Sequence, residues 1–335
     1  MSPPPRVIIV RMPNWLGDTV MALPALGALR TASPDARVVA VGRWADLVAG
    51  QAVADVLVAY PRTARERLAL GRGLRLDPPD LAILFPNSLE SAAAAWWWRA
   101  TRRVGFDTDQ RRSLLTDAVA RPSPRSHQVD EYTALVEAAG IGVDGDRTPR
   151  WKLPDNGAME AEVDALLAGA GIPAGAKLVG LHLGAGFGPS KVWPLDSYRR
   201  LAAALRTDGF TPLLLGAADD RAAAESVSSG IAPPVPSLVG RDRRALVPRL
   251  LRRLSCLVSG DTGVAHLAAA LGVPTVTLFG PTDPRLTAPR GARARSLYRA
   301  APCSPCFLSV CPIDHICLGG IAVEDVAREI REAAA

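Results

Sequence analysis

No stretch of this 335-residue chain approaches the ~20 apolar residues that a bilayer-crossing helix requires. Its beginning, Met1-Ser2-Pro3-Pro4-Pro5-Arg6, lacks the charged region and long apolar region of a secretory signal. The expected setting is therefore soluble and cytoplasmic, where stable disulfides among the five cysteines are not expected. Neither half carries Gly-x-Gly-x-x-Gly after its first strand, and no Walker Gly-Lys-Ser/Thr is present. Basic residues are not interleaved with aromatics along a recognisable module, which speaks against nucleic acid. What is present is a hydrophobic content of 48%, ample for packed cores and incompatible with disorder. The length favours two domains. A net charge of +6 suits an anionic partner, a phosphosugar or an anionic membrane face among them. Much of that charge is arginine, which often only solvates a surface.

Apolar runs at Arg6–Arg11, Arg37–Val41, Val56–Ala59 and Leu81–Phe85 read as strands with helical segments between, one helix expected over Asp18–Arg30. The pattern restarts after a stretch, Gly140–Gly157, rich in Gly, Asp and Pro that reads as a linker. Lys177–Leu183, Thr211–Leu215, Cys256–Val258 and Thr275–Phe279 are the next strands. Helices are expected near Leu195–Thr207, Asp219–Ser228, Arg243–Leu254, Thr262–Leu271 and Ala322–Glu332. Strands alternating with helices predict an α/β protein of two doubly wound, Rossmann-like domains facing across a cleft. The domains expected are residues 1–157 and 158–321.

Several strand-end loops carry polar residues where open α/β sheets bind ligands. Gly260-Asp261-Thr262-Gly263 leads from a strand into a helix holding His266. Free N–H groups and the dipole at such a helix start suit a phosphate. His266 is as readily a satisfied core residue. Gly184-Ala185-Gly186-Phe187-Gly188-Pro189-Ser190-Lys191-Val192-Trp193-Pro194 is glycine-lined but has no tight turn into a helix, because its prolines postpone the helix to about Leu195. With Lys191 as a point charge it suits a diphosphate. Asp18, in Asn14-Trp15-Leu16-Gly17-Asp18, is either a general base or a helix cap, and local sequence favours the cap. Asp219-Asp220 is either a ribose contact or a cap. Trp96-Trp97-Trp98-Arg99 with Arg102 and Arg103, extended by Arg111 and Arg112, suits an anionic lipid-linked partner or a solvated helix end. Cys303, Cys306, Cys311 and Cys317, with His315, have spacings open to zinc or an iron–sulfur cluster. A reduced structural loop is favoured, so no metal site is assigned.

In order and separation, five segments together resemble one family, the ADP-heptose lipopolysaccharide heptosyltransferases of glycosyltransferase family 9. They are Pro13–Asp18, Pro86-Asn87-Ser88, Gly186–Pro194, Gly260–His266 and Phe279–Pro284. The resemblance covers nearly the whole chain and implies the GT-B fold, with an acceptor domain first and a nucleotide-sugar domain second. It implies that the last helix, residues 322–335, packs back on the first domain. It implies transfer of heptose, with inversion, from ADP-heptose to a lipopolysaccharide inner-core or related lipid-linked, anionic glycan. Asp18 becomes the catalytic base and Lys191 a second catalytic group. Gly186, Ser190, Lys191, Trp193, Asp220, Asp261, Thr262, Gly263 and His266 fall on the donor side. Asn14, Trp15, Asn87, Ser88, Arg99, Arg102 and Arg103 fall on the acceptor side. No cofactor is required, and a divalent cation is admissible but not expected. The implied location is the cytoplasm, with peripheral contact to the inner membrane. Glu90 departs from the family, in which a lysine often stands there, and its charge is expected to repel an anionic acceptor. Two other readings remain open: a two-domain NAD-type oxidoreductase, and a non-catalytic nucleotide-sugar or anionic-lipid binding protein.

Overall fold

The aliphatic runs become the central strands of two parallel sheets in a computed structural model that describes residues 4–241 and 243–334. The sheets belong to separate units, divided between Arg150 and Trp151. The first unit runs β1 (Val7–Arg11), α1 (Leu16–Met21), α2 (Leu23–Ala32), β2 (Arg37–Gly42), β3 (Val56–Ala59), α3 (Ala64–Leu74), β4 (Leu81–Leu84), α4 (Leu89–Trp97), β5 (Arg102–Phe106), β6 (Asp117–Val119) and α5 (Gln128–Ala138). Strand order is β3-β2-β1-β4-β5-β6. All pairings are parallel, with Ile9 opposite Val39 on one side and Ala82 on the other. Ile9, Val39, Ala82, Leu84 and Trp98 pack one side of this sheet.

The second unit runs α6 (Gly157–Gly169), β7 (Leu178–His182), α7 (Leu195–Thr207), β8 (Thr211–Leu215), α8 (Arg221–Ser228), α9 (Val247–Arg252), β9 (Leu254–Gly260), α10 (Gly263–Ala270), β10 (Thr275–Phe279), α11 (Pro284–Thr287), β11 (Ala294–Tyr298), α12 (Ile316–Gly319) and α13 (Val323–Ala334). Its order is β11-β10-β9-β7-β8, again all parallel.

Both orders reverse once, between β1 and β4 and between β7 and β9. Each reversal opens a crevice at the carboxyl ends of the strands. The expected strands stand within two residues of their sequence limits. Three others, β5, β6 and β11, did not announce themselves, because their runs are short and broken by charge. The helix expected over Asp18–Arg30 is two helices, since Pro24 has no N–H to continue the first.

The second unit begins earlier than expected. Trp151 is buried and its N–H donates to the Ala270 carbonyl at 2.8 Å, so residues 151–157 already belong to it. The last helix also corrects an expectation. Val323, Val326, Ala327 and Ile330 of α13 are buried in the second unit's own core, and α13 packs on α7, β9 and β10. Its strongly one-sided apolar pattern is satisfied there.

Candidate active site

At the reversal point of the first sheet the chain leaves β1 through Asn14 and enters α1. Trp15, not Asp18, takes the N-cap position, with φ −106° and ψ 148°. The local preference for Asp18 as a cap is therefore overturned. Asp18 lies in the first helical turn, partly buried, where the dipole favours a carboxylate. Its Oδ1 accepts a hydrogen bond from the Tyr132 hydroxyl at 3.1 Å. Tyr132 comes from α5 and packs against Phe85, with ring centroids 4.8 Å apart. Burial, and after it the charge of Asp18, push the phenol well above its ordinary value. Tyr132 therefore stays a neutral donor that orients the carboxylate. Nothing in the sequence marked it, because 114 residues separate the partners.

Two buried arginines shape the flanking loops. Arg11, 1% exposed, donates to the Met12 carbonyl at 2.5 Å and to Asn14 Oδ1 at 2.8 Å. Its guanidinium lies 3.7 Å from the centroid of the Tyr60 ring. The Tyr60 hydroxyl donates to Glu90, and burial together with that bond raises the phenol to about 12. Arg67 Nη1 stands 3.5 Å from Glu90. The Glu90 charge is thus matched locally by Arg67 and, at longer range, by Arg11, and the expected repulsion of an anionic acceptor loses its basis.

After β4, Ser88 caps α4, its Oγ accepting from the Ser91 N–H at 3.3 Å. Arg111, fully buried, braces this turn. It donates to the carbonyls of Pro86 (2.5 Å) and Phe106 (3.0 Å), to Ser91 Oγ (2.9 Å) and to Asn87 Oδ1 (3.4 Å). Burial lowers its guanidinium to about 10. Arg111 is therefore not part of a surface patch, whereas Arg112 is exposed and pairs with Asp107 at 2.5 Å.

In the second unit, loops after β7, β9 and β10 converge on one carboxylate. Lys191 Nζ donates to Asp261 Oδ2 at 2.7 Å and to the Asp261 carbonyl at 3.1 Å. Thr282 Oγ1 donates to the same Oδ2 at 2.8 Å. His266 Nε2 stands 3.7 Å from Oδ1. Burial alone would raise the Asp261 carboxyl, yet the neighbouring His266 ring and the charge of Lys191 hold it well below the usual carboxylate range. Gly260 is required by close approach, because a Cβ there would meet the Lys191 carbonyl oxygen at 2.3 Å.

Thr262 occupies the N-cap of α10 without a side-chain cap bond, its hydroxyl instead meeting Ser259 Oγ at 2.9 Å. The first-turn N–H groups at Gly263 and Val264 thus keep the unpaired donors of any helix start. His182, at the end of β7, meets Ser259 Oγ through Nδ1 at 3.2 Å. Burial lowers His182 to about 4, so the ring is neutral near pH 7. Thr282, Ser259 and His182 were not singled out by residue type, although the segments holding Thr282 and Ser259 were marked.

Other expected positions lie elsewhere. Trp193 is fully buried, edge-on to Tyr198 with centroids 5.2 Å apart, so it is a core residue and not a donor contact. Ser190, 2% exposed, is tied by its Oγ to the Leu308 carbonyl at 2.6 Å and by its N–H to Ser309 at 3.1 Å, so it holds the loop. Gly186 is exposed in the same loop. Asp220 closes a turn, its Oδ2 accepting from the Ala217 N–H at 2.7 Å. Gly184 and Gly216 leave room for its carboxylate, which a Cβ would meet at 2.5 and 2.7 Å.

Arg99, Arg102 and Arg103 are removed from the acceptor side. They sit at the amino end of β5, and in a parallel sheet that is the edge opposite the Asn14, Asp18, Asn87 and Ser88 loops. Arg102 pairs with Asp117 at 2.9 Å, and Arg103 bonds the Leu114 and Ala100 carbonyls at 2.7 and 2.6 Å.

Cys303, Cys306, Cys311, Cys317 and His315 line one small cavity of about 50 Å³. Among the described residues no three His, Cys, Asp or Glu side chains are placed to hold a metal ion. Their segment braces the donor-side loops: Ser304 Oγ donates to the Gly280 carbonyl and the Phe307 N–H to that of Pro281.

Two successive parallel α/β units, each with a reversal-point site, have the layout of the GT-B fold class. Residues 67–317 match the model of glycosyltransferase family 9 (heptosyltransferase), and the chain belongs to that family. It is 30% identical over 314 residues to lipooligosaccharide heptosyltransferase 2 of Haemophilus ducreyi, covering 86% of this chain and 87% of that one. It is 29% identical over 302 residues to lipopolysaccharide heptosyltransferase 2 of Salmonella typhimurium, covering 86% of each. The fold is that of E. coli ADP-heptose lipopolysaccharide heptosyltransferase II, with a TM-score of 0.81, 24% identity and 98% of each chain covered. It is likewise that of a family 9 glycosyltransferase from Veillonella parvula, with a TM-score of 0.83, 18% identity and 98% and 97% covered. Membership overturns the oxidoreductase and non-catalytic readings: the protein is a glycosyltransferase.

Proposed function

We propose that this enzyme transfers heptose, with inversion, from ADP-heptose to a hydroxyl of a lipopolysaccharide inner core or a closely related lipid-linked, anionic glycan. The relatives' names supply the donor and acceptor classes. The observation that carries the chemistry is the Asp18 carboxylate, held by Tyr132 in the first turn of α1 at the reversal point of the first sheet. Asp18 takes the proton of the acceptor hydroxyl as its oxygen attacks the anomeric carbon. The new carbon–oxygen bond forms on the face opposite the diphosphate. The old one breaks, and its electron pair leaves on the ADP β-phosphate oxygen. Lys191 and the first-turn N–H groups of α10 lie on the donor side, where they stabilise that charge. Asp261 fixes the Lys191 ammonium, and His266 and Thr282 fix Asp261. Asn14, Trp15, Asn87 and Ser88 shape the acceptor side.

Lysine and helix dipole supply the positive charge that a divalent cation would otherwise bring, so the reaction is proposed to need no metal. It should run unchanged in chelator. The enzyme works at the cytoplasmic face of the inner membrane and takes no nucleic acid. Steady-state release of ADP with Asp18→Asn tests the base. A loss of about 10²–10⁴-fold in kcat, with the donor KM little changed, is expected. Near-normal turnover on the same acceptor would overturn the assignment.

A further inference from the structure

The two aliphatic strands that flank the reversal point of the second sheet both end in polar residues. β7 closes on His182 and β9 on Ser259-Gly260, and the register sets His182 opposite Ser259. Ser259 is fully buried and His182 is half-buried. His182 Nδ1 lies 3.2 Å from Ser259 Oγ, and Ser259 Oγ lies 2.9 Å from Thr262 Oγ1 at the start of α10. On its other side Ser259 faces Thr277 of β10, a buried hydroxyl that pairs with nothing among the described residues. The three groups therefore form an isolated chain, imidazole to serine to threonine. The backbone of His182 is fixed as well, its carbonyl accepting from the Tyr198 hydroxyl at 3.0 Å. Nε2 of the ring has no partner among the described residues, and it is not one of the sealed polar atoms. It opens on the crevice where β7 and β9 part.

Proton count gives the chain a direction. The ring is neutral near pH 7 and so carries one N–H, and each hydroxyl carries one O–H. Three protons serve two links, so one is left over. It cannot rest on Ser259, which is buried and has no third partner among the described residues. It emerges at one end. Either Nε2–H donates into the crevice and Thr262 can only accept there, or the Thr262 hydroxyl donates and Nε2 can only accept. An anion at the start of α10 decides between them, because an ionised phosphate oxygen takes hydrogen bonds and gives none. It draws the Thr262 proton, which turns the Ser259 hydroxyl towards Thr262 and places the ring proton on Nδ1. What remains at Nε2 is a bare lone pair, which repels phosphate and fits a hydroxyl.

We propose that His182 is a specificity residue for the nucleotide donor: its Nε2 accepts a hydrogen bond from a sugar hydroxyl of that donor while Thr262 donates to the diphosphate. The role rests on the proposed ADP-heptose donor and deepens it. Ribose and heptose flank the diphosphate and present the same group. A bare pyrophosphate satisfies only the Thr262 end and leaves Nε2 unpaired, so the chain favours a diphosphate that carries a sugar.

The full wild-type chain, its histidines labelled with ¹⁵N, is followed by NMR with and without ADP, and the signals lost in His182→Gln assign the ring. In the ADP complex Nδ1 should carry the proton and Nε2 none. Calorimetry then compares pyrophosphate, ADP and ADP-heptose. His182→Phe keeps a ring of similar size without an acceptor. It should bind pyrophosphate as wild type does and lose roughly tenfold in affinity for ADP-heptose, which is what one hydrogen bond supplies. An equal loss for ADP places the hydroxyl on the ribose, and a loss confined to ADP-heptose places it on the heptose. His182→Gln, whose amide oxygen reaches the Nε2 position, should recover most of the affinity. A wild-type complex with the proton on Nε2, or on both nitrogens, would overturn the proposal. So would a His182→Phe variant that binds ADP-heptose as tightly as wild type, or one that loses pyrophosphate to the same extent. Wild type that binds pyrophosphate but not ADP would sink the donor reading itself, and this role with it.

Discussion

Asp261 and Lys191 are 6% and 12% exposed, and at that depth each ion depends on the other. Removing one partner of a buried pair leaves a charge without compensation and costs about 3–5 kcal/mol, whereas replacing both by apolar groups of similar volume is often nearly neutral. Lys191→Met should therefore lower the unfolding free energy of the second unit by about that amount. Lys191→Met/Asp261→Leu should recover most of it while remaining inactive. Urea unfolding of the two singles and the double separates the stability role from the catalytic one. A loss in the double variant equal to the sum of the two single losses would show that the pair is not coupled. At the other site, Tyr132→Phe keeps the ring that packs on Phe85 and deletes only the bond to Asp18. A charge-assisted bond of this kind contributes about 1.5–3 kcal/mol. If half or more of that acts in the transition state, kcat falls roughly tenfold with little change in donor KM. A change confined to donor KM would assign Tyr132 to binding.

At the scale of elements, apolar strands were legible because parallel strands covered on both faces read as continuous aliphatic runs. The Val7–Arg11 and Leu178–His182 runs show this. β5 begins Arg102-Arg103, and those side chains find Asp117 and backbone carbonyls outside the core, so its sequence looks like a loop. In the candidate site, Lys191 and Asp261 drew notice because their motifs sit on strand ends, whereas Asp18 read locally as a cap and was assigned only through the family resemblance. It was not legible where a role depends on a partner far along the chain. Arg111 reads as surface charge and is a buried brace, 25 residues from the Pro86 carbonyl it holds. Trp193 reads as a ligand platform and is core. Arg111→Met tests the brace. It strands the Pro86 and Phe106 carbonyls, at about 1–3 kcal/mol each. A stability loss above roughly 3 kcal/mol and a raised acceptor KM are expected, with donor KM unchanged. A urea midpoint within experimental error of wild type would remove Arg111 from its assigned role.

For the whole molecule, two sheets with separate cores imply two responses to pH. His182 is held neutral by burial, its value lowered from 6.5 to about 4. Above pH 6.5 neither the folded nor the unfolded chain carries this proton, so the ring has no effect on stability. Between pH 6.5 and 4 the unfolded chain binds the proton and the folded second unit refuses it, so stability falls as pH falls. A full shift of that size corresponds to roughly 3 kcal/mol at the acid end. Asp261 adds to the loss only at lower pH, because a depressed carboxyl contributes stability above its unfolded value near 3.9 and gives it up below. Acidification from pH 7 to 5 should therefore weaken protection in β7, β9 and α10, while the Ile9–Leu84 core of the first unit changes less. Hydrogen exchange followed peptide by peptide, corrected for the intrinsic pH dependence of exchange, measures both units in one sample. His182→Phe removes the titrating ring and should flatten the response of the second unit. A variant that loses protection as steeply as wild type over this range would place the pH sensitivity in some group other than His182.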